Sequence, residues 1–269
     1  MANANSLDLT LSAIRHLAID LDGTLYLGAT LFDVTRPFLD TLRQLGIGRT
    51  FFTNNSSRST KQYVRKLNDL GIEADESDLL TSTHCTIEYL RQEQPEVRRV
   101  YVLGTPALRE EFVENGFVDT REEVNGGGDE PDAVVVGFDT TLTYDRLCRA
   151  AWWISRGKPF IATLPDRTCP TDKPTLLPEC GALCKLLTHA TGREPDAVLG
   201  KPDPRMLRGV MRRHQLRADE IAVVGDRLYT DIAMARSAGA VGVLVLTGDT
   251  TAEQARSAQP QPDLVIADV

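Results

Sequence analysis

Four short polar clusters contain residue types that suit phosphoryl-transfer chemistry. They are Asp20-Leu21-Asp22-Gly23-Thr24, Thr53-Asn54-Asn55-Ser56, Gly200-Lys201-Pro202-Asp203-Pro204, and Gly225-Asp226 with Asp231 five residues later. The carboxylates of Asp20, Asp22 and Asp226 repel one another unless a cation lies between them, and their hard oxygen atoms favour Mg²⁺. Lys201 and Thr53 add a cationic contact and a hydroxyl donor, which suit a transferring phosphoryl group. We therefore expect these three carboxylates to converge on one cation beside a phosphoryl site.

The Asp-x-Asp pair has a second interpretation when it is taken alone. Aspartate readily accepts hydrogen bonds from backbone N–H groups, so Asp20 and Asp22 also fit a turn or the start of a helix. Gly23 permits a sharp exit of the backbone, and Asp226 adds a third carboxylate after a separate strand. The combination favours a metal and phosphoryl site over a turn.

Each cluster follows a predicted β-strand, and the strands alternate with predicted helices. The strands are expected at residues 16–22, 48–54, 197–199 and 221–225, and helices at 36–45, 57–70 and 205–214. This alternation predicts an α/β fold with a Rossmann-like parallel sheet and helices on both faces. Ligands of such a sheet bind at the carboxyl ends of the strands, where all the clusters lie.

A second α/β pattern interrupts the first one. Strands are predicted at residues 99–103, 133–137 and 160–163, with helices at 107–114 and 144–156. We therefore predict a catalytic core domain of residues 1–81 and 181–269, and an inserted α/β cap domain of residues 82–180. Such an insert would cover the catalytic edge, exclude water and contact the organic part of a substrate.

The composition of the chain disfavours some classes of binding partner and some cellular locations. Thirty Lys and Arg residues against 38 Asp and Glu residues leave a net charge of −8, which disfavours nucleic acid and anionic membranes as partners. Residues 1–9 are polar and contain an acid, unlike a signal peptide, and no apolar run has the length of a membrane span. We expect a cytoplasmic protein whose five cysteines are reduced thiols.

The clusters resemble the four motifs of the haloacid dehalogenase superfamily. Further segments resemble its NagD-like or 4-nitrophenylphosphatase-type branch, class IIA, which carries a large C2-type α/β cap between the second and third motifs. These segments are Phe51-Phe52-Thr53-Asn54-Asn55-Ser56-Ser57, Val100-Tyr101-Val102-Leu103-Gly104, Gly137-Phe138-Asp139 with Thr143-Tyr144, Gly200-Lys201-Pro202, and Val245-Leu246-Thr247-Gly248. The resemblance spans nearly the whole chain and implies a Mg²⁺-dependent phosphatase.

The resemblance also implies the catalytic roles. Asp20 would be the nucleophile that forms a phospho-aspartate and would bind Mg²⁺ with its other carboxylate oxygen. Asp22 would be the general acid and then the general base, and its backbone carbonyl would also bind the metal. Asp226 would complete the protein ligands to Mg²⁺. Because the carbon–halogen hydrolases of the superfamily do not need an acid at the position of Asp22, its presence favours phosphate chemistry.

The remaining roles concern the phosphoryl group and the substrate. The resemblance implies that Thr53 and the Asn54 N–H hold phosphoryl oxygens, that Lys201 neutralises their charge, and that Asp231 orients metal-bound water or Lys201. Asp166 lies in Thr163-Leu164-Pro165-Asp166, which resembles the Thr-Asn-Pro-Asp stretch of the family with leucine in place of asparagine. Asp166 is therefore a candidate substrate contact, although a Pro-Asp pair is also a common turn.

The expected substrate is a small phosphorylated metabolite such as a sugar phosphate, phosphoglycolate, pyridoxal phosphate or a nucleotide monophosphate. Two other functions stay open: phosphotransfer to an acceptor other than water, as in a mutase, and non-catalytic binding of a phosphometabolite. Every carboxylate and Lys201 are present, so no residue change supports a loss of catalysis. The protein is expected to be a monomer or a homodimer.

Overall fold

The computed structural model describes residues 11–120, 130–171 and 173–269, so the polar segment 1–9 lies outside the described residues. The strands are β1 (His16–Asp20), β2 (Tyr26–Leu27), β3 (Thr30–Leu31), β4 (Gly48–Thr53), β5 (Leu79–Thr81), β6 (Arg99–Leu103), β7 (Val118–Asp119), β8 (Ala133–Val136), β9 (Phe160–Ala162), β10 (Thr168–Cys169), β11 (Leu177–Pro178), β12 (Ala197–Val198), β13 (Ile221–Gly225), β14 (Val241–Val245) and β15 (Leu264–Ile266). The α-helices are Thr35–Leu45, Thr60–Asp69, Ser82–Glu93, Pro106–Glu114, Tyr144–Ser155, Cys180–Thr191, Pro204–His214, Ala233–Ala238 and Ala252–Ser257. None of the helices in these described ranges is long and apolar enough to cross a membrane.

The first sheet has six strands in the order β15-β14-β13-β1-β4-β5, and all its neighbouring strands are parallel. All residues of β1, β13 and β14 are buried, because helices cover both faces. Leu42 and Leu67 belong to the hydrophobic cluster on one face, and Leu207 and Met234 to the cluster on the other. The predicted α/β fold with a Rossmann-like parallel sheet is therefore confirmed.

The second sheet has the order β12-β9-β8-β6-β7 and is also parallel. We expected the strand near residue 197 in the first sheet, and this was wrong, because Ala197–Val198 pairs with β9. Helix Cys180–Thr191 also packs here, with Leu183 and Leu187 in one cluster with Val134. The predicted alternation of strands and helices continues past residue 180 without a change in amino-acid composition. The sequence therefore does not show which strand is the last one of the second sheet. The division into a core and a cap domain stays a prediction.

One hydrophobic cluster joins the two sheets. Phe52 of β4 and Val102 of β6 belong to it, together with Leu90 and Leu108 of two intervening helices. All four side chains are almost completely buried, and burial of one such side chain stabilises a fold by about 1.5–3 kcal/mol. Because residues of both sheets belong to this cluster, it helps to hold the two sheets together.

Candidate active site

Polar side chains lie at one edge of the first sheet, where three of its strands end. Asp20 is the last residue of β1, Thr53 is the last residue of β4, and Asp226 directly follows β13. Asp20 pairs in register with Phe52, which places Asp20 and Thr53 at neighbouring levels of adjacent parallel strands. The carboxyl ends of parallel strands thus bring together residues that lie more than 200 positions apart in the chain.

Lys201 lies between two buried carboxylates at this edge. Its Nζ donates a hydrogen bond to Asp20 and a second one, of 2.7 Å, to Asp231 Oδ1. All three residues are at most 7% exposed. Burial alone would lower the pKa of Lys201, but the negative charges and hydrogen bonds of Asp20 and Asp231 raise that pKa above its ordinary value. Lys201 therefore carries a positive charge at neutral pH.

Asp20, Asp226 and Asp231 form a group whose carboxylate oxygens lie within 4.8 Å of one another. Burial is the largest cause that raises the pKa of Asp20, to about 8; the charge of Lys201 opposes this rise, and the charges of Asp231 and Asp226 add to it. Asp226 Oδ2 accepts a hydrogen bond of 2.7 Å from the Asp249 N–H, whereas its buried Oδ1 has no partner among the described residues. Three buried carboxylates beside one ammonium group leave an excess of negative charge, and their hard oxygen atoms suit a divalent cation such as Mg²⁺.

The structure places Asp22 differently from the expected convergence of Asp20, Asp22 and Asp226. The third carboxylate of the group is Asp231. Asp22 lines the same pocket as Asp20, but its Oδ2 accepts a hydrogen bond of 3.1 Å from Tyr26 OH, and its Oδ1 lies 3.5 Å from Lys66 Nζ. Asp22 lies two residues beyond the end of β1, and a hydrogen bond of 2.8 Å from the Gly23 N–H to the Tyr26 carbonyl brings the chain back beside it.

Asn54 connects the edge of the first sheet to two other segments. Its Oδ1 accepts a hydrogen bond of 2.7 Å from the Lys201 N–H, and its Nδ2 donates to the Lys201 carbonyl at 2.9 Å. The same Nδ2 donates to Asp166 Oδ2 at 2.6 Å. Gly200 allows this close approach, because a Cβ atom there would lie 2.7 Å from Asn54 Oδ1. Asn54 thus fixes the backbone of Lys201 by its side chain, a contact that motif spacing does not predict.

The structure adds Arg227 and Glu179 to the residues of the site. Both line one pocket together with Asp20, Thr53 and Lys201. Arg227 donates a hydrogen bond of 3.0 Å to Asp166 Oδ1, and Asp166 is only 1% exposed. Arg227 directly follows Asp226, so its position beside a predicted metal ligand could have identified it as a site residue from the sequence. Glu179 had no comparable signal, because it lies far from every polar cluster in the chain.

Comparison with known proteins gives the same family over most of the chain. Residues 17–118 match the haloacid dehalogenase-like hydrolases, and residues 198–269 match the related HAD-hydrolase-like family. The acid sugar phosphatase of Staphylococcus aureus is 33% identical over 93% of each chain. The structure of a 4-nitrophenylphosphatase from Thermotoga maritima has a TM-score of 0.87, 39% identity and coverage of 96% of both chains. The glycerol phosphate phosphatase of Mycobacterium tuberculosis, solved in complex with magnesium, has a TM-score of 0.85, 35% identity, and coverage of 96% of this chain and 76% of that one.

The chain therefore belongs to the haloacid dehalogenase-like hydrolases, and the predicted resemblance to their NagD-like, 4-nitrophenylphosphatase-type branch is confirmed. These relatives are named phosphatases, and phosphoric monoester hydrolase is the enzyme class of the chain. The edge that holds Asp20, Lys201 and Asp226 is accordingly the candidate active site.

Replacement of Lys201 tests how much the fold depends on the buried ammonium group. Lys201→Met leaves Asp20 and Asp231 buried without their cation, so we expect the free energy of unfolding to fall by about 3–5 kcal/mol in urea titrations with a chelator present. Lys185 is the control, because its exposed ammonium pairs with Glu194 at the surface. Lys185→Met should change the free energy of unfolding by less than about 1 kcal/mol. Equal, small effects of both replacements would contradict the role assigned to Lys201.

Proposed function

We propose that the protein is a Mg²⁺-dependent phosphatase that hydrolyses small phosphomonoesters through a phospho-aspartate on Asp20. The observation that carries this proposal is the buried group of Asp20, Asp226 and Asp231 with Lys201 in its midst. Its three carboxylates suit a divalent cation, and its ammonium group suits a phosphoryl group. The site therefore suits both ligands together better than one of them alone. The magnesium complex of the mycobacterial glycerol phosphate phosphatase supports the choice of metal.

Asp20 is the proposed nucleophile. Its Oδ1 contacts Lys201 and its Oδ2 accepts a hydrogen bond of 3.2 Å from Thr24 Oγ1, so both oxygens are held in place before substrate binds. Attack of one oxygen on phosphorus would form a phospho-aspartate, while Lys201 neutralises the phosphoryl charge. Thr53 and the Asn54 N–H would hold the phosphoryl oxygens. Asp20, Asp226 and the Asp22 carbonyl would hold Mg²⁺. The bound Mg²⁺ would supply further positive charge to the phosphoryl oxygens.

Asp22 is the proposed general acid and base. Its carboxyl group would protonate the leaving alkoxide and would then take a proton from the water that attacks the phospho-aspartate. Tyr26 and Lys66, which contact its two oxygens, hold the carboxyl group at the pocket. Asp231 is not a metal ligand in this scheme. It would orient Lys201 and metal-bound water.

The proposed substrate is a small phosphorylated metabolite. Relatives are named for activity on sugar phosphates, glycerol phosphate and 5'-nucleotides, and the predicted cap of residues 82–180 would select among such compounds. A cytoplasmic monomer or homodimer without nucleic acid or membrane partners remains our proposal. Phosphotransfer to another acceptor and non-catalytic binding are the alternatives. Phosphate release in buffer with Mg²⁺ and without an added acceptor would favour hydrolysis over both.

Replacement of Asp20 tests the nucleophile. Asp20→Asn keeps the shape of the side chain but removes its nucleophilic oxygen, so kcat should fall by about 10³-fold or more for every phosphomonoester of a panel. Phosphate release is the measurement. Asp69→Asn, at an exposed helix end, is the control and should keep the wild-type rate. An unchanged rate in Asp20→Asn would exclude Asp20 as the nucleophile.

Replacement of Asp22 tests the division into two steps. With 4-nitrophenyl phosphate, whose leaving group needs little protonation, Asp22→Asn should still form the phospho-aspartate but should hydrolyse it about 10²-fold or more slowly. We therefore expect a burst of about one nitrophenolate per enzyme, followed by slow turnover, in rapid-mixing absorbance measurements. The wild type should show no slow second phase. A steady slow rate without a burst in Asp22→Asn would contradict its role in the second step.

Replacement of Asp226 tests the metal site without an activity assay. Mg²⁺ at a hundredfold excess over its dissociation constant should stabilise the wild type by about 2.7 kcal/mol, seen as a rise in Tm. Asp226→Asn loses a charged ligand, so the same Mg²⁺ concentration should give little or no rise. Asp69→Asn should respond as the wild type does. A wild-type response in Asp226→Asn would place the metal elsewhere.

A further inference from the structure

The pocket contains a group of lining residues that the proposed phosphoryl chemistry does not use. They lie in the segment that follows β9 and in the loop after β13, and we call them the outer wall: Asp166, Cys169, Pro170, Glu179 and Arg227. Since the phosphoryl group contacts Asp20, Thr53, Asn54 and Lys201, the outer wall is left for the organic part of the substrate. Its chemistry therefore decides which leaving groups fit.

Both cations that line the pocket in the described ranges already have carboxylate partners. Lys201 donates to Asp20 and Asp231. Arg227 Nη1 lies 3.0 Å from Asp166 Oδ1, and the two side chains are 12% and 1% exposed, respectively. The outer wall thus contains two acids and one guanidinium group, and Asp166 already balances the guanidinium charge. A second negative charge on a substrate would find no unpaired cation among these residues.

Among the residues that the structure describes, Glu179 is the acid of the outer wall that forms no ion pair, and a backbone hydrogen bond fixes its position. The Glu179 N–H donates a hydrogen bond of 2.9 Å to the Arg167 carbonyl, and the residue precedes helix Cys180–Thr191. Its side chain does not cap that helix. Glu179 lines the pocket although it is only 2% exposed, so a substrate bound there would lie against this residue.

The surroundings of Glu179 disfavour negative charge at this place. Burial, followed by the charge of Asp166, raises the pKa of Glu179 well above its ordinary value. Arg227 acts in the opposite direction but does not outweigh them. A carboxylate or second phosphate of a substrate placed here would meet the same desolvation and the same repulsion. A hydroxyl group would not, since it can donate to or accept from a carboxyl group in either protonation state.

We propose that Glu179 is a specificity-determining residue that selects uncharged, hydroxyl-bearing leaving groups and rejects leaving groups with a second anionic group. The inference rests on the proposed phosphatase function and narrows its substrates to polyol and sugar phosphates. Phosphoglycolate, which carries a carboxylate close to its phosphate, falls outside this class. Cys169 and Pro170 complete the outer wall with weakly polar surface that adds no charge.

Glycerol 3-phosphate and 3-phosphoglycerate form a matched pair for the test, because a hydroxymethyl group in one replaces a carboxylate in the other. We expect the wild-type kcat/KM for glycerol 3-phosphate to exceed that for 3-phosphoglycerate by about tenfold or more, the size of one buried hydrogen bond. Glu179→Ala should lower kcat/KM for glycerol 3-phosphate, mainly through KM, and should not lower it for 3-phosphoglycerate. Glu179→Gln, which keeps hydrogen-bonding groups, should restore most of the activity on glycerol 3-phosphate.

The control is Glu110→Ala, because Glu110 is exposed and does not line the pocket; it should keep the wild-type ratio. A wild type that prefers 3-phosphoglycerate, or Glu179→Ala that slows both esters equally, would overturn the assignment. The wild-type ratio tests it even if the variant does not fold. Absence of phosphate release from both esters and from 4-nitrophenyl phosphate would overturn the phosphatase proposal itself, and the assignment with it.

Discussion

Lys201 places one buried ammonium group between two buried carboxylates, and the geometry of the site depends on this contact. An unpaired charge in such a place would cost several kcal/mol, so Asp20, Lys201 and Asp231 stabilise the fold only as a set. Asn54 holds the backbone of Lys201 from both sides with its amide group. The ends of three strands and the loop at Lys201 are therefore fixed relative to one another before any ligand binds.

The same set of charges explains why the site suits phosphoryl chemistry. Three carboxylates around one ammonium group leave an excess of negative charge, and the buried Asp226 Oδ1 lacks a hydrogen bond among the described residues. A divalent cation would balance the excess negative charge and would give Asp226 Oδ1 a partner. Asp22 stays outside this group, with its carboxyl group near Tyr26 and Lys66. This separation supports the proposal that Asp22 transfers protons while other carboxylates bind the metal.

The sequence predicted the features that depend on local pattern and on sheet topology. The bounds of β6 and β13 agree with the prediction, and the rule for parallel strands located Asp20, Thr53 and Asp226 at one edge. The sequence did not predict that Ala197–Val198 joins the second sheet, because two apolar residues do not specify which strand they pair with. Contacts of Asp166 with Asn54 and Arg227 were also missed, since packing between distant segments determines them.

We propose that the Asp20 carboxylate is a nucleophile that lies between Lys201 and a bound metal ion. A crystal structure of the protein with Mg²⁺ and beryllofluoride, which mimics an acyl phosphate, tests it most directly. We expect beryllium bonded to an Asp20 oxygen, the metal in contact with Asp20 and Asp226, and Lys201 Nζ within hydrogen-bond distance of a fluorine atom. Beryllofluoride bonded to another residue, or a metal bound away from Asp20 and Asp226, would contradict it.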